Sequence, residues 1–274
     1  MLPLLFQTIN RRITNEIMGN KIKNIAAIIA MCVLFYFVGY AMGNFLHSSE
    51  LPSGIFGIIV GIASFIICFV LQVFVHELGH LVAGKMSGYK LLWFGVFNTT
   101  FVKKNGKLMR TTMKHKGVLG HCLMSPPEMK NGKYPFVFYV LGGGLMNFLV
   151  SAISLAIYFI FLPQFWILVM FAGVGIMIGV SNIVPMNIGG LTNDGYDILK
   201  RCKNDAERRS FWYMSRFFDD YINKDMRPRD IPEEQFALFS GISQDNENRN
   251  EKRKIPVCFL CSWRRFDELS CKCD

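Results

Sequence analysis

The chain has 274 residues, 51% of them hydrophobic and 25 of them phenylalanine, with a positive mean hydropathy of +0.29. A soluble domain of this length is normally less apolar, so the composition points to a membrane protein rather than a water-soluble globule. The net charge of +10 does not mark a nucleic-acid binder: residues 1–133 hold 14 Lys and Arg against four acids, ten of the 14 between Lys85 and Lys133, whereas residues 193–274 hold 16 of each sign.

In chain order, residues 1–22 read as a short amphipathic cytoplasmic lead. Four segments then meet the roughly 20-residue requirement for a spanning helix: residues 25–46, 55–84, 135–162 and 165–185. Lys21 and Lys23 followed by Ala41-Met42-Gly43 imitate a signal peptide. The apolar stretch 25–46, 22 residues long, exceeds an ordinary core of about 7 to 15, so the first segment reads as a retained anchor. The connections 48–54 and 163–164 carry no Lys or Arg. The basic loop 85–133 and both termini therefore belong on the cytoplasmic side, and the loop's charge suits an anionic lipid surface. Frequent Lys, Asn and Ile fit an AT-rich bacterial genome and hence a cell-membrane location.

Within the loop, residues 99–102 and 107–112 flank Lys103-Lys104-Asn105-Gly106. Asn-Gly between such runs predicts a β-hairpin with a type I′ turn. With Trp93, Phe94, Phe97 and Phe101 nearby, the hairpin is expected to lie at the membrane surface. Beyond the last span, residues 193–203 and 206–218 read as helices, and Asp245 to Lys254 as a charged, disordered run. Cys258, Cys261, Cys271 and Cys273 have the spacing of a zinc knuckle, but their surroundings suit a non-native tail equally well. The expected architecture is an α-helical integral membrane protein. It has about four transmembrane helices, a small membrane-associated β-hairpin and a cytoplasmic C-terminal tail, divided as 1–22, a core 23–192 and a region 193–274.

The second span ends in His76-Glu77-Leu78-Gly79-His80. Histidines four apart share one helix face and reach one tetrahedral metal, with the intervening Glu available as a base. Residues 55–75 carry only Ser64 and Gln72 as polar side chains, and ionisable groups at such depth are costly and usually functional. A catalytic zinc takes three protein ligands. Asp194, the first acid after Glu128, is the nearest candidate for the third, and Glu207, Glu233 or Glu234 are the alternatives if this is a membrane-anchored zincin. His47, His115 and His121 have no partner spacing and read as surface residues.

His76 to His80, Gly143-Gly144-Leu145-Met146-Asn147, and Asn182-Ile183-Val184-Pro185 with Asp194-Gly195 together resemble the site-2 protease family of intramembrane zinc metalloproteases, over roughly residues 55–200. The resemblance implies zinc held by His76, His80 and Asp194, with Glu77 as general base. It makes Asn147 and Asn182 active-site amides that position substrate or stabilise an oxyanion. It implies a membrane-spanning or hydrophobic leader peptide as substrate, cut near the cytoplasmic face, with the lipid bilayer as the other partner and no nucleic acid. Gly144 stands where many members have Pro, and the step from Asn182 to Asp194 is 12 residues where about eight is common. A non-catalytic peptide-binding or immunity-type membrane protein is the non-enzymatic alternative. A strand edge beside the site would suit a protease, because substrate must be held extended and strand addition does that.

Overall fold

The computed structural model describes residues 24–33, 35–40, 43–44, 54–112, 119–130, 132–188 and 191–224. The lead 1–22, Glu233, Glu234, the run 245–254 and the four C-terminal cysteines lie outside these. Helical residues 24–33 and 35–40 form α1. The remaining helices are α2 (Gly54–Met86), α3 (Phe136–Ile160), α4 (Ile167–Ile183), α5 (Asp194–Lys203) and α6 (Asp205–Lys224).

Among the described residues, α2 and α3 are the two helices long and apolar enough to cross a membrane. The expected fourth span is shorter: α4 has 17 residues, about 26 Å of helix, because Pro185 denies the chain another turn. At 33 residues, α2 is about 50 Å long. Its outward side chains are apolar, Ile55, Phe56, Ile59, Ile62 and Ile66 among them, whereas Gln72, His76, Glu77 and His80 are buried. This inverts the usual soluble arrangement.

Small residues let the three helices approach. A Cβ placed on Gly142 would lie 2.5 Å from the Gly79 carbonyl oxygen, and one on Gly144 would touch Ile183 at 3.0 Å. Where the outer surface of a bundle is apolar, close backbone contact and interhelical hydrogen bonds hold the helices together. The bonds are present: Gln72 Nε2 donates to the Phe171 carbonyl at 2.9 Å, and Ser154 Oγ to the Leu168 carbonyl at 2.9 Å.

Between α2 and α3 the chain forms an antiparallel sheet in the order β3-β2-β1-β4, with β1 Lys90–Val96, β2 Thr99–Lys104, β3 Lys107–Thr111 and β4 Gly120–Ser125. The expected turn is there, Asn105 and Gly106 both having positive φ, 50° and 81°. The hairpin expectation was too small, however, since β1 and β4 extend it to four strands. Those two strands show little polar–apolar alternation because both sheet faces are covered. Phe94 packs edge-on against Phe74 of α2, and its neighbour Trp93 against Phe218 of α6 on the other side. Two short strands, β5 (Asn187–Ile188) and β6 (Leu191–Thr192), pair between α4 and α5.

Candidate metal centre and cleft

The last turns of α2 bring the rings of His76 and His80 to 4.8 Å between centroids. The chain then leaves the membrane-length bundle, and α5 returns Asp194 as its first residue. Asp194 Oδ2 lies 3.1 Å from His76 Nε2 and 3.3 Å from His80 Nε2, and the two Nε2 atoms are 3.2 Å apart. A tetrahedral zinc with bonds of about 2.0–2.1 Å would space its ligand atoms by about 3.3 Å. The three residues thus outline one face of such a tetrahedron, and they form the group able to hold a metal ion among the described residues.

Both imidazoles are oriented from behind. His80 Nδ1 donates to the Tyr139 carbonyl at 3.1 Å. His76 Nδ1 faces Asn147 Oδ1 at 2.8 Å. The amide orientation follows from its neighbours: Asn147 Nδ2 donates to the Gln72 carbonyl at 2.9 Å and to Gln72 Oε1 at 2.8 Å, both acceptors, which leaves Oδ1 for His76. Gln72 is itself set by donating to the Phe171 carbonyl. With each Nδ1 carrying a proton, each Nε2 turns a lone pair towards the other and towards a carboxylate. Three acceptors at this spacing suit a shared cation, and a histidine whose second nitrogen donates to an acceptor is the usual arrangement at a metal. Asn147 therefore sits behind His76, fully buried, while Asn182 lines the cleft and donates Nδ2 to its own helix at Ile178.

Gln72, Tyr139 and Asn193 are absent from the expected site. Gln72 had a visible signal, an amide four residues before His76 in an apolar run; the Tyr139 contact is a backbone carbonyl and had none. If the group holds a metal, the relay predicts that Gln72→Leu weakens its binding by about 10–100-fold, the usual effect of removing an outer partner of a ligand histidine. Competition with a chelating dye checks this, and unchanged affinity would refute it.

Asn193 closes the 12-residue step. Its Oδ1 accepts from Tyr196 N at 3.0 Å and Met186 N at 2.9 Å, and its Nδ2 donates to the Ser181 and Val184 carbonyls at 2.7 and 2.6 Å. One side chain thus caps α5 at its start and satisfies carbonyls at the end of α4. The surplus residues of the step become the β5–β6 hairpin. Gly195 is needed for close approach, since its Cβ would lie 2.7 Å from the Ile183 carbonyl carbon. Asp194-Gly195 is the first turn of a helix and no plain turn.

A cleft of about 660 Å³ runs past these residues. Glu77 lies on its wall beside the histidines, packed so tightly under β4 that a Cβ on Gly120 would fall 2.6 Å from its Cγ. Among the described residues the strand edge at the site is that of β4, and two strands lie between it and β3, the other edge. Cys122 also lines the cleft, and burial pushes its thiol far above the ordinary range, so it stands there as a neutral group. Glu207, one alternative third ligand, pairs with Lys200 at 2.9 Å, away from the histidines. No protein-family model, curated protein or solved structure matches this chain.

Proposed function

We propose that this chain is a membrane-integral zinc endopeptidase of the site-2 protease type, cutting a membrane-spanning or hydrophobic leader peptide near the cytoplasmic face. The observation that carries the reading is three ligand atoms at tetrahedral spacing, with Glu77 beside them, at the end of a helix of apolar outer surface. In this reading α1 to α4 cross a bacterial cell membrane, and the sheet, α5, α6 and both termini are cytoplasmic. The short α4 is accommodated by local thinning of the bilayer. Two histidines and a carboxylate also serve mononuclear iron enzymes. A glutamate adjoining the first histidine and facing the cleft favours hydrolysis.

A bound zinc supplies Lewis acidity towards a carbonyl and makes water more acidic. Glu77 takes the proton from water and hands it to the departing amine, a contribution of about 10²–10⁴-fold. His76, His80 and Asp194 hold their donor atoms in place through Asn147, the Tyr139 carbonyl and Asn193. The edge of β4 that has no strand neighbour among the described residues keeps the peptide extended, which a scissile bond requires, since helical peptide bonds are shielded by their own hydrogen bonds.

The test uses detergent-purified protein and a Lys-flanked Leu/Ala peptide of about 20 apolar residues. The protein is expected to cut it, and Glu77→Gln to keep its zinc while losing about 10²–10⁴-fold in turnover. Full turnover in Glu77→Gln would refute the role of Glu77. Absence of both metal and cleavage in the unaltered protein would leave a peptide-binding membrane protein.

A further inference from the structure

We infer that the Tyr139 hydroxyl ends the open edge of β4 and thereby selects which peptide bond lies over Glu77; the inference rests on the endopeptidase reading above. Phe97 N donates to the Leu119 carbonyl at 2.7 Å, which makes 97 and 119 a hydrogen-bonded pair. Such pairs alternate along antiparallel strands. The register Val96↔Gly120, Gly95↔His121 and Phe94↔Cys122 therefore turns the N–H and C=O groups of Gly120 and Cys122 away from β1, towards the edge that has no strand neighbour among the described residues.

Gly120 is the residue against which the Glu77 side chain packs. An incoming strand bonded to Gly120 consequently crosses the catalytic carboxylate. At Cys122 the edge closes, because Tyr139 Oη donates to the Cys122 carbonyl at 2.6 Å. Tyr139 is buried and stacked on Tyr89, with ring centroids 4.7 Å apart and planes 22° from parallel, so the cap is rigid. The ladder available to a peptide consists of the Gly120 N–H, the Gly120 carbonyl and the Cys122 N–H. Slippage by two residues towards Met124 would need the carbonyl that Tyr139 occupies. Since side chains alternate with period two, two residues is the smallest slip that keeps the same face towards the site. Tyr139 is a positioning residue acting through β4.

Tyr139→Phe removes one oxygen and leaves the ring stack and the His80 contact in place. With the Lys-flanked probe peptide and product ends read by mass spectrometry, the unaltered protein is expected to cut predominantly one bond. Tyr139→Phe is expected to add products displaced by two residues, with about a fivefold loss of preference for the original bond. A slower Tyr139→Phe enzyme that still cuts the original bond alone would overturn the inference, because a merely structural hydroxyl changes rate and leaves position unchanged. A second measurement does not depend on cleavage. In Glu77→Gln, with and without Tyr139→Phe, a benzophenone is moved stepwise along the uncut probe. Crosslinks to residues 120–123 from one position, spreading to positions two residues away without the hydroxyl, are the expected result. The same pattern in both proteins, or no crosslink to β4 in either, would overturn it. Failure of the unaltered protein to cut while the crosslinks behave as expected would count against the endopeptidase reading alone.

Discussion

Asp194→Ala is expected to leave the protein folded and without its metal. Zinc sites bind with about 10–16 kcal/mol shared among their ligands, so one ligand is worth about 3–4 kcal/mol, or more than two orders of magnitude in Kd. The two imidazoles that remain are 3.2 Å apart at Nε2, and they lose the carboxylate that balanced a cation between them. Elemental analysis of the purified variant beside the parent measures the effect, and it identifies the metal in the parent. Glu207→Ala is the matched control, because its carboxylate serves Lys200 and its loss should change nothing at the site. Metal retained in Asp194→Ala but lost in Glu233→Ala or Glu234→Ala would transfer the third position to the downstream region and overturn the assignment.

Gly143→Ala should be nearly as damaging, although it removes no ligand. The added methyl would fall 2.5 Å from His80 Nε2 and 2.6 Å from both Nε2 and Cε1 of His76, where a metal would have to sit. Retreat of α3 would pull Gly142 out of its backbone contact with Gly79 and press Gly144 against Ile183 and Gly179 of α4. A loss of zinc of more than about 100-fold, of the order of a missing ligand, is expected with little loss of helix by circular dichroism. Gly144→Ala provides the contrast. Its methyl meets Ile183 Cγ1 and Cδ1 at 3.0 and 3.2 Å, the mobile end of an aliphatic side chain, so zinc content should stay near that of the parent. Equal behaviour of the two variants would show that the glycine run serves helix packing alone.

The parts of this architecture readable in the sequence are those that local rules decide. The His76–His80 spacing, the Asn105-Gly106 turn and the helix beginning after Asn193 each follow from backbone geometry within a few residues. Four acids remained open as third ligand, because the closure between α4 and α5 depends on Asn193 reaching four backbone groups, and an N-cap motif gives no hint of that reach. The strand β4 escaped notice for a physical reason. Period-two alternation marks a sheet with one wet face, and β4 is covered on one side by α2 and on the other by α6. The reading of Asn147 as a substrate-facing amide came from family resemblance. Its burial and bonds to Gln72 and His76 direct attention to ligand orientation instead. Span counting also ran ahead of the structure, since hydropathy does not register that α4 stops at Ile183.

The β5–β6 hairpin separates two demands on the segment after α4. Asn193 bonds back to Met186, so the ends of the excursion are clamped together and the position of Asp194 does not depend on the chain between them. Ile188 and Leu191 near its tip are more than half exposed. Length variation among natural sequences is thus free to accumulate between residues 188 and 191 without disturbing the ligand. The same property makes that spot an insertion point for a short reporter tag.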